Sequence, residues 1–168
     1  GFGHVLPDFK QLVNCGLETI IEECKERKNV LKSWIVDDLK KAEFYDACIT
    51  VCEAIIEFAK RYSKLANEMA EQETESKRRK ELFEISEICS KVPARPAENL
   101  HEALQAAWFY QLTLQIYENA VAQSIGRVDQ IFYPYYQKDI LGKKLTKAQA
   151  EELLCAFFLK FAEPLKVY

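Results

Sequence analysis

The residues best suited to chemistry are crowded into one short stretch. Glu118, Asn119, Gln123, Ser124, Arg127 and Asp129 fall within twelve positions, directly after a run with almost no polar face. A polar loop leaving an apolar element is a common lining for a small-molecule pocket. Ser124 and Asn119 carry donors and acceptors that could orient a ligand, or could satisfy nearby backbone groups. Arg127 with Asp129 or Glu118 could line a pocket, or form a buried ion pair that holds the loop. Only two histidines are present, His4 and His101. His4 is either a substrate-facing imidazole or a surface residue near a chain end. Six cysteines occur, at Cys15, Cys24, Cys48, Cys52, Cys89 and Cys155. Cys48 and Cys52 share a helix face, as half of a metal site would, but no second close Cys or His pair completes it. Apolar stripes claim most of the cysteines, so reduced and mostly buried thiols are expected. No glycine-rich phosphate loop and no Ser-His-Asp or Cys-His spacing is present.

The elements that must position these residues read as helices from end to end. Asp8 is a candidate N-cap for a helix to Lys28, with Leu12, Val13, Cys15, Leu17, Ile20, Ile21 and Cys24 on one face. Residues 29–38 are too mixed to assign. A long helix is expected from about Ala42 to Glu71, and another, capped by Thr74, to Lys91. The run Lys77-Arg78-Arg79-Lys80 is flanked by glutamates and reads as a solvated face with local ion pairs rather than a phosphate patch. Pro93 and Pro96 separate it from the apolar helix Leu100 to Tyr117. Residues 118–126 form a polar loop, and 127–140 are rich in aromatics. Thr146 and Gln149 fit a capping box opening a last helix that is apolar nearly all round.

The chain has 168 residues, 5 Gly and 5 Pro, a scarcity of turn formers that excludes an all-β sandwich or barrel and points to a mainly α architecture without an internal boundary. A net charge of −3 with interspersed signs argues against nucleic acid as a partner. No apolar run reaches the ~18 residues of a membrane helix, and the start does not resemble a signal peptide, so a cytoplasmic protein without membrane partners is expected. Two helices apolar all round are hard to cover with the amphipathic ones available. With no initiator Met and no polar tail, the chain is expected to be a piece of something larger.

Several of these runs resemble the glycyl radical enzymes of the pyruvate formate-lyase-like kind. They are Val92-Pro93-Ala94-Arg95-Pro96, His101-Glu102-Ala103-Leu104-Gln105 with Trp108-Phe109, and above all Ser124-Ile125-Gly126-Arg127-Val128-Asp129-Gln130 followed by Tyr133-Pro134-Tyr135-Tyr136. The likeness is to the branch with glycerol and diol dehydratases, choline trimethylamine-lyase, hydroxyproline dehydratase and arylacetate decarboxylases, and covers essentially all of residues 1–168. It implies a helical segment, from the N-terminal half, of the family's ten-stranded α/β barrel, a partial pyruvate formate-lyase-like domain.

By that resemblance His4 and Ser124 would be substrate-binding, with Asn119, Arg127 and Asp129 structural or pocket-lining. Family members often continue Gly-His with Thr, whereas Val5 stands here, which leaves the substrate subclass open. The family's thiyl Cys loop and Gly radical loop have no counterpart in the chain. Cys24 is followed by Lys25 and Glu26 but lies on a helical stripe. The segment alone is therefore expected to be inactive, with no bound cofactor or metal and no catalytic residue of its own. The parent would cleave C–O, C–N or C–C bonds as a lyase, dehydratase or decarboxylase, or act like a formate C-acetyltransferase. Its glycyl radical would be installed by a radical-SAM activating enzyme. Such parents are cytoplasmic homodimers of anaerobes or are packed into bacterial microcompartments, and take small-molecule substrates. The alternative is a free-standing helical interaction module without catalysis.

Overall fold

A computed structural model describes residues 5–117 and 123–161. Six helices follow one another: α1 (Phe9–Asn29), α2 (Val36–Gln72), α3 (Ser76–Lys91), α4 (Leu100–Tyr117), α5 (Val128–Leu141) and α6 (Lys147–Lys160). No strand occurs among the described residues. The chain divides into two compact units, one of Gly1–Asn14 with Pro96–Tyr168 and one of Cys15–Arg95.

In the second unit, α2 and α3 pack as an antiparallel hairpin. The Ser63 hydroxyl lies 2.8 Å from the Ser86 carbonyl and the Ser86 hydroxyl 2.8 Å from the Ser63 carbonyl, a reciprocal clasp that fixes the register of the pair. Cys52, Ile55, Ile56, Ala59, Ala66 and Ala70 form the buried side of α2, with Leu82, Ile88 and Cys89 buried on α3. α1 is ordinary up to Gly16, where φ 74° and ψ 164° break the helical path. The displaced amides of Leu17 and Glu18 donate instead to the carbonyls of Pro93 (2.8 Å) and Ala94 (2.9 Å). Buried backbone groups must find partners, and the Pro93 turn supplies them. A Cβ on Gly16 would stand 2.5 Å from the Ala94 oxygen, so the close approach also requires glycine.

In the first unit, α4 is almost wholly buried along its first three turns, from Leu100 to Phe109 and Gln111, and α5 and α6 pack against it. Phe157 joins Phe132 and Phe161 edge-to-face at 5.6 and 5.2 Å, and Trp108 meets Phe161 at 5.7 Å. The capping box is formed: Gln149 N donates to Thr146 Oγ1 at 3.2 Å and Thr146 N to Gln149 Oε1 at 2.9 Å. The Asp8 cap also forms, its Oδ1 accepting from Gln11 N at 2.9 Å.

Two expectations need correction. α2 begins at Val36 rather than near Ala42, because Asp37 and Asp38 sit favourably in its first turn and Asp38 folds back to accept from Lys32 N at 3.1 Å. α3 is capped by Glu75 rather than Thr74; the longer carboxylate reaches Lys77 N and Arg78 N at 2.9 and 2.6 Å. The aromatic stretch is helical straight through Pro134. The basic run behaves as expected, with Arg78 on Glu81 at 3.0 Å and Arg79 Nη2 on the Glu73 carbonyl at 2.6 Å.

Candidate functional site

The site is assembled where the first described residues meet the approach to α5. Ser124 N donates to the Val5 carbonyl at 3.2 Å, joining two segments far apart in sequence. The Ser124 hydroxyl in turn accepts from Gly126 N at 3.1 Å, which folds the segment into a tight turn, and Gly126 itself adopts φ 83°. A Cβ at Gly126 would come within 3.0 Å of Leu6 Cδ1. Ile125 is buried while Ser124, Gly126 and Arg127 are exposed. The turn therefore presents the serine outward and anchors itself through the isoleucine.

Arg127 caps α5 with its backbone, and its Nε stands 3.5 Å from Asp129 Oδ1. The two side chains are 72% and 71% exposed, so the alternative of a buried pair does not hold for Arg127 with Asp129. Asp129 lies in the first turn of α5, where a carboxylate suits the helix dipole, and both groups can remain in water. His4 and Asn119, also expected at the site, lie outside the described residues, as does Glu118. The structure thus brings Ser124 beside the residue that follows His4.

Several other polar groups of the same unit are buried. Asp139 is buried and its Oδ2 accepts from Leu100 N at 2.8 Å, satisfying a donor at the start of α4. The Tyr135 hydroxyl lies 3.0 Å from the Val13 carbonyl and 2.8 Å from Asn14 Oδ1. Gln111 Oε1, Gln115 Oε1 and both amide atoms of Gln123 are buried without a hydrogen-bond partner. Such groups are costly unless something meets them. Gln123 was within reach of sequence reasoning as part of the polar loop; Gln111 and Gln115 were not, since they read as the sparse polar positions of an apolar helix.

The cysteines are all helical and free. Burial pushes the Cys52 thiol up to about 11 and Cys89 to about 12, and raises Cys48, with Cys24 close by adding to the effect. Cys155 is exposed, and Cys15 and Cys48 are only partly covered, so the expectation of mostly buried thiols holds for Cys24, Cys52 and Cys89. No cluster of three metal-ligating side chains exists among the described residues. An open cleft of about 580 Å³ in the second unit is lined by Glu18, Glu22, Glu53, Glu57, Lys25 and Lys60 together with two isoleucines, and contains none of the expected site residues. No described helix is long and apolar enough to cross a membrane.

Comparison with known proteins decides the family. Residues 1–168 match the family described as pyruvate formate lyase-like. The chain belongs to this family of glycyl radical enzymes. It is 38% identical over 163 residues to the isethionate sulfite-lyase of Nitratidesulfovibrio vulgaris, covering 96% of this chain and 20% of the relative. It is 37% identical over 149 residues to the indoleacetate decarboxylase of Tractidigestivibacter scatoligenes, covering 88% of this chain and 17% of the relative. Among solved structures, the glycerol-bound form of the B12-independent glycerol dehydratase from Clostridium butyricum superposes with a TM-score of 0.95 at 38% identity, covering 100% of this chain and 21% of that one. The chain therefore spans about one fifth of the length of the relatives it matches, and its helices are a segment of the α/β barrel fold.

Proposed function

We propose that residues 1–168 are one continuous piece, from the N-terminal part, of a glycyl radical lyase or dehydratase, and that His4 and Ser124 contact its small-molecule substrate. The observation that supports this is the Ser124–Val5 backbone bond, which joins Ser124 to the residue that follows His4 in the sequence of a family member. Ser124 would orient a substrate hydroxyl through its own hydroxyl, held by the Gly126 amide. A neutral His4 imidazole would accept a hydrogen bond from that substrate or pass a proton to its leaving group. Asn119 and Gln123 would complete the polar lining; Arg127 and Asp129 would hold the turn.

The glycyl residue, activated by a radical-SAM activating enzyme, would store the radical, and a cysteine in the thiyl form would take the hydrogen atom from the substrate. None of the cysteines stands in a loop, so that step is assigned to residues outside these 168 and the piece alone is inactive. The parent would be a cytoplasmic homodimer or reside in a microcompartment. Relatives that act on isethionate and glycerol make hydroxylated two- and three-carbon compounds the substrates to test first.

The test is the whole gene product, activated anaerobically and assayed with isethionate, glycerol and 1,2-propanediol. Turnover accompanied by a glycyl radical signal is expected. Ser124→Ala should lower kcat/KM by about 5- to 150-fold, as expected for losing a hydrogen bond of ~1–3 kcal/mol, with the radical signal intact. Unchanged kinetics would remove Ser124 from the site, and a gene ending at Tyr168 would favour the helical interaction module.

A further inference from the structure

α2 is apolar on two sides, and among the described residues only one of them is covered. Its buried side centres on Cys52, Ile56, Ala59 and Ala66. At about 100° per residue, a second stripe of Phe44, Ala47, Val51, Ala54, Leu65 and Met69 centres roughly 110° round the helix. On this stripe Phe44 is 65% exposed, Val51 47%, Leu65 52% and Met69 47%. It runs for about seven turns, much further than the isolated apolar residues that any surface carries. Phe44, Val51 and Leu65 keep a seven-residue phase, with Phe58 at the intervening position. A strict seven-residue repeat is the pattern that receives another helix at a shallow left-handed crossing. Ala47 and Ala54 leave notches where a partner's larger side chains can enter.

We propose that this stripe is the seat of a helix contributed by the same polypeptide from outside residues 1–168. The inference rests on the reading that the chain is a piece of a longer enzyme. Its matched relatives carry about four times as much polypeptide outside the matched segment as within it. A covalently linked helix meets the stripe at an effective concentration in the millimolar range, so it competes well with any second molecule.

The experiment uses the full-length protein from its own gene and the oxidation of Met69, the single methionine of these 168 residues. Hydroxyl-radical footprinting should find Met69 about tenfold slower to oxidise than in the unfolded protein, because oxidation follows exposure. The protection should be the same at two protein concentrations about a hundredfold apart, since an intramolecular contact does not respond to mass action. A photo-reactive benzoylphenylalanine replacing Val51 should cross-link to a peptide of the same chain outside residues 1–168. Loss of protection on dilution, or a cross-link to a second copy, would overturn the proposal in favour of a self-association face. Free oxidation of Met69 in a long, folded chain would overturn it while leaving the enzyme reading intact. A gene that stops at Tyr168 would sink both.

Discussion

Gly16 is the residue on which α1 turns, and the apolar periodicity of residues 8–28, which predicted one uninterrupted helix, hid it. A glycine inside a helical pattern announces a weak point, but the actual break at φ 74° is imposed by the Pro93 and Ala94 carbonyls, which no local pattern encodes. Gly16→Ala should destabilise the protein by at least about 1–3 kcal/mol, since it adds left-handed strain to a clash with backbone atoms. A lowered urea midpoint in circular dichroism would report it. Arg127 argues the opposite way. It belongs to the most specific motif in the chain, yet its ion pair with Asp129 is exposed on both sides. Arg127→Gln should therefore change stability by less than about 1 kcal/mol by the same measurement. The motif was readable because it is local; the exposure was not, because burial depends on what packs over a turn. The thiols give a pH test. In the folded state Cys52 and Cys89 hold their protons up to about 11 and 12, whereas an unfolded thiol releases its proton near ~8.5. Their contribution to stability is fully present below the unfolded value and is lost as pH rises through the folded values. The urea midpoint should fall on going from about pH 8 to about pH 10.5, and Cys89→Ala should flatten that fall.

Helices with conventional punctuation could be placed from sequence, and those whose ends depend on side chains reaching across turns could not. Asp8, and Thr146 with Gln149, cap within three residues of themselves, so type and spacing sufficed. Glu75 displaced Thr74 because one carboxylate satisfies two amides, an advantage invisible when caps are ranked by residue type alone. The start of α2 was obscured for a related reason, since Asp38 caps backward onto Lys32 and forward to Lys41 at 3.2 Å. That carboxyl is held below its ordinary value, chiefly by the Lys32 amide, and Glu75 likewise by the Lys77 and Arg78 amides. Both contributions are present above the unfolded carboxylate value and vanish as pH falls through the lower folded value. The cap of α6 can be tested more directly. Thr146→Ala removes the acceptor for Gln149 N and should cost about 1 kcal/mol, read as a lowered midpoint, whereas Thr146→Ser should retain most of it.

For the molecule as a whole, the sequence already indicated that helices apolar all round need more cover than this chain supplies. The structure locates the shortfall: on α6, Phe158 is 54% and Leu159 71% exposed, and on α4, Ile116 is 66% exposed. Isolated exposed apolar residues are unremarkable, but helices with one buried and one bare apolar side are not. The family match supplies a reason, because the relatives it matches carry about four fifths of their own polypeptide outside the matched segment. Cys155, on α6, is an exposed thiol and so a natural reporter of that missing cover. Under native conditions at neutral pH, a thiol reagent should label Cys155 of the 168-residue chain first, with Cys24, Cys52 and Cys89 reacting only as the chain opens. In the full-length protein Cys155 should join the slow group if the rest of the barrel lies over α6. Equal Cys155 rates in the two proteins would mean that α6 faces water in the parent too, and its apolar residues would then need another partner.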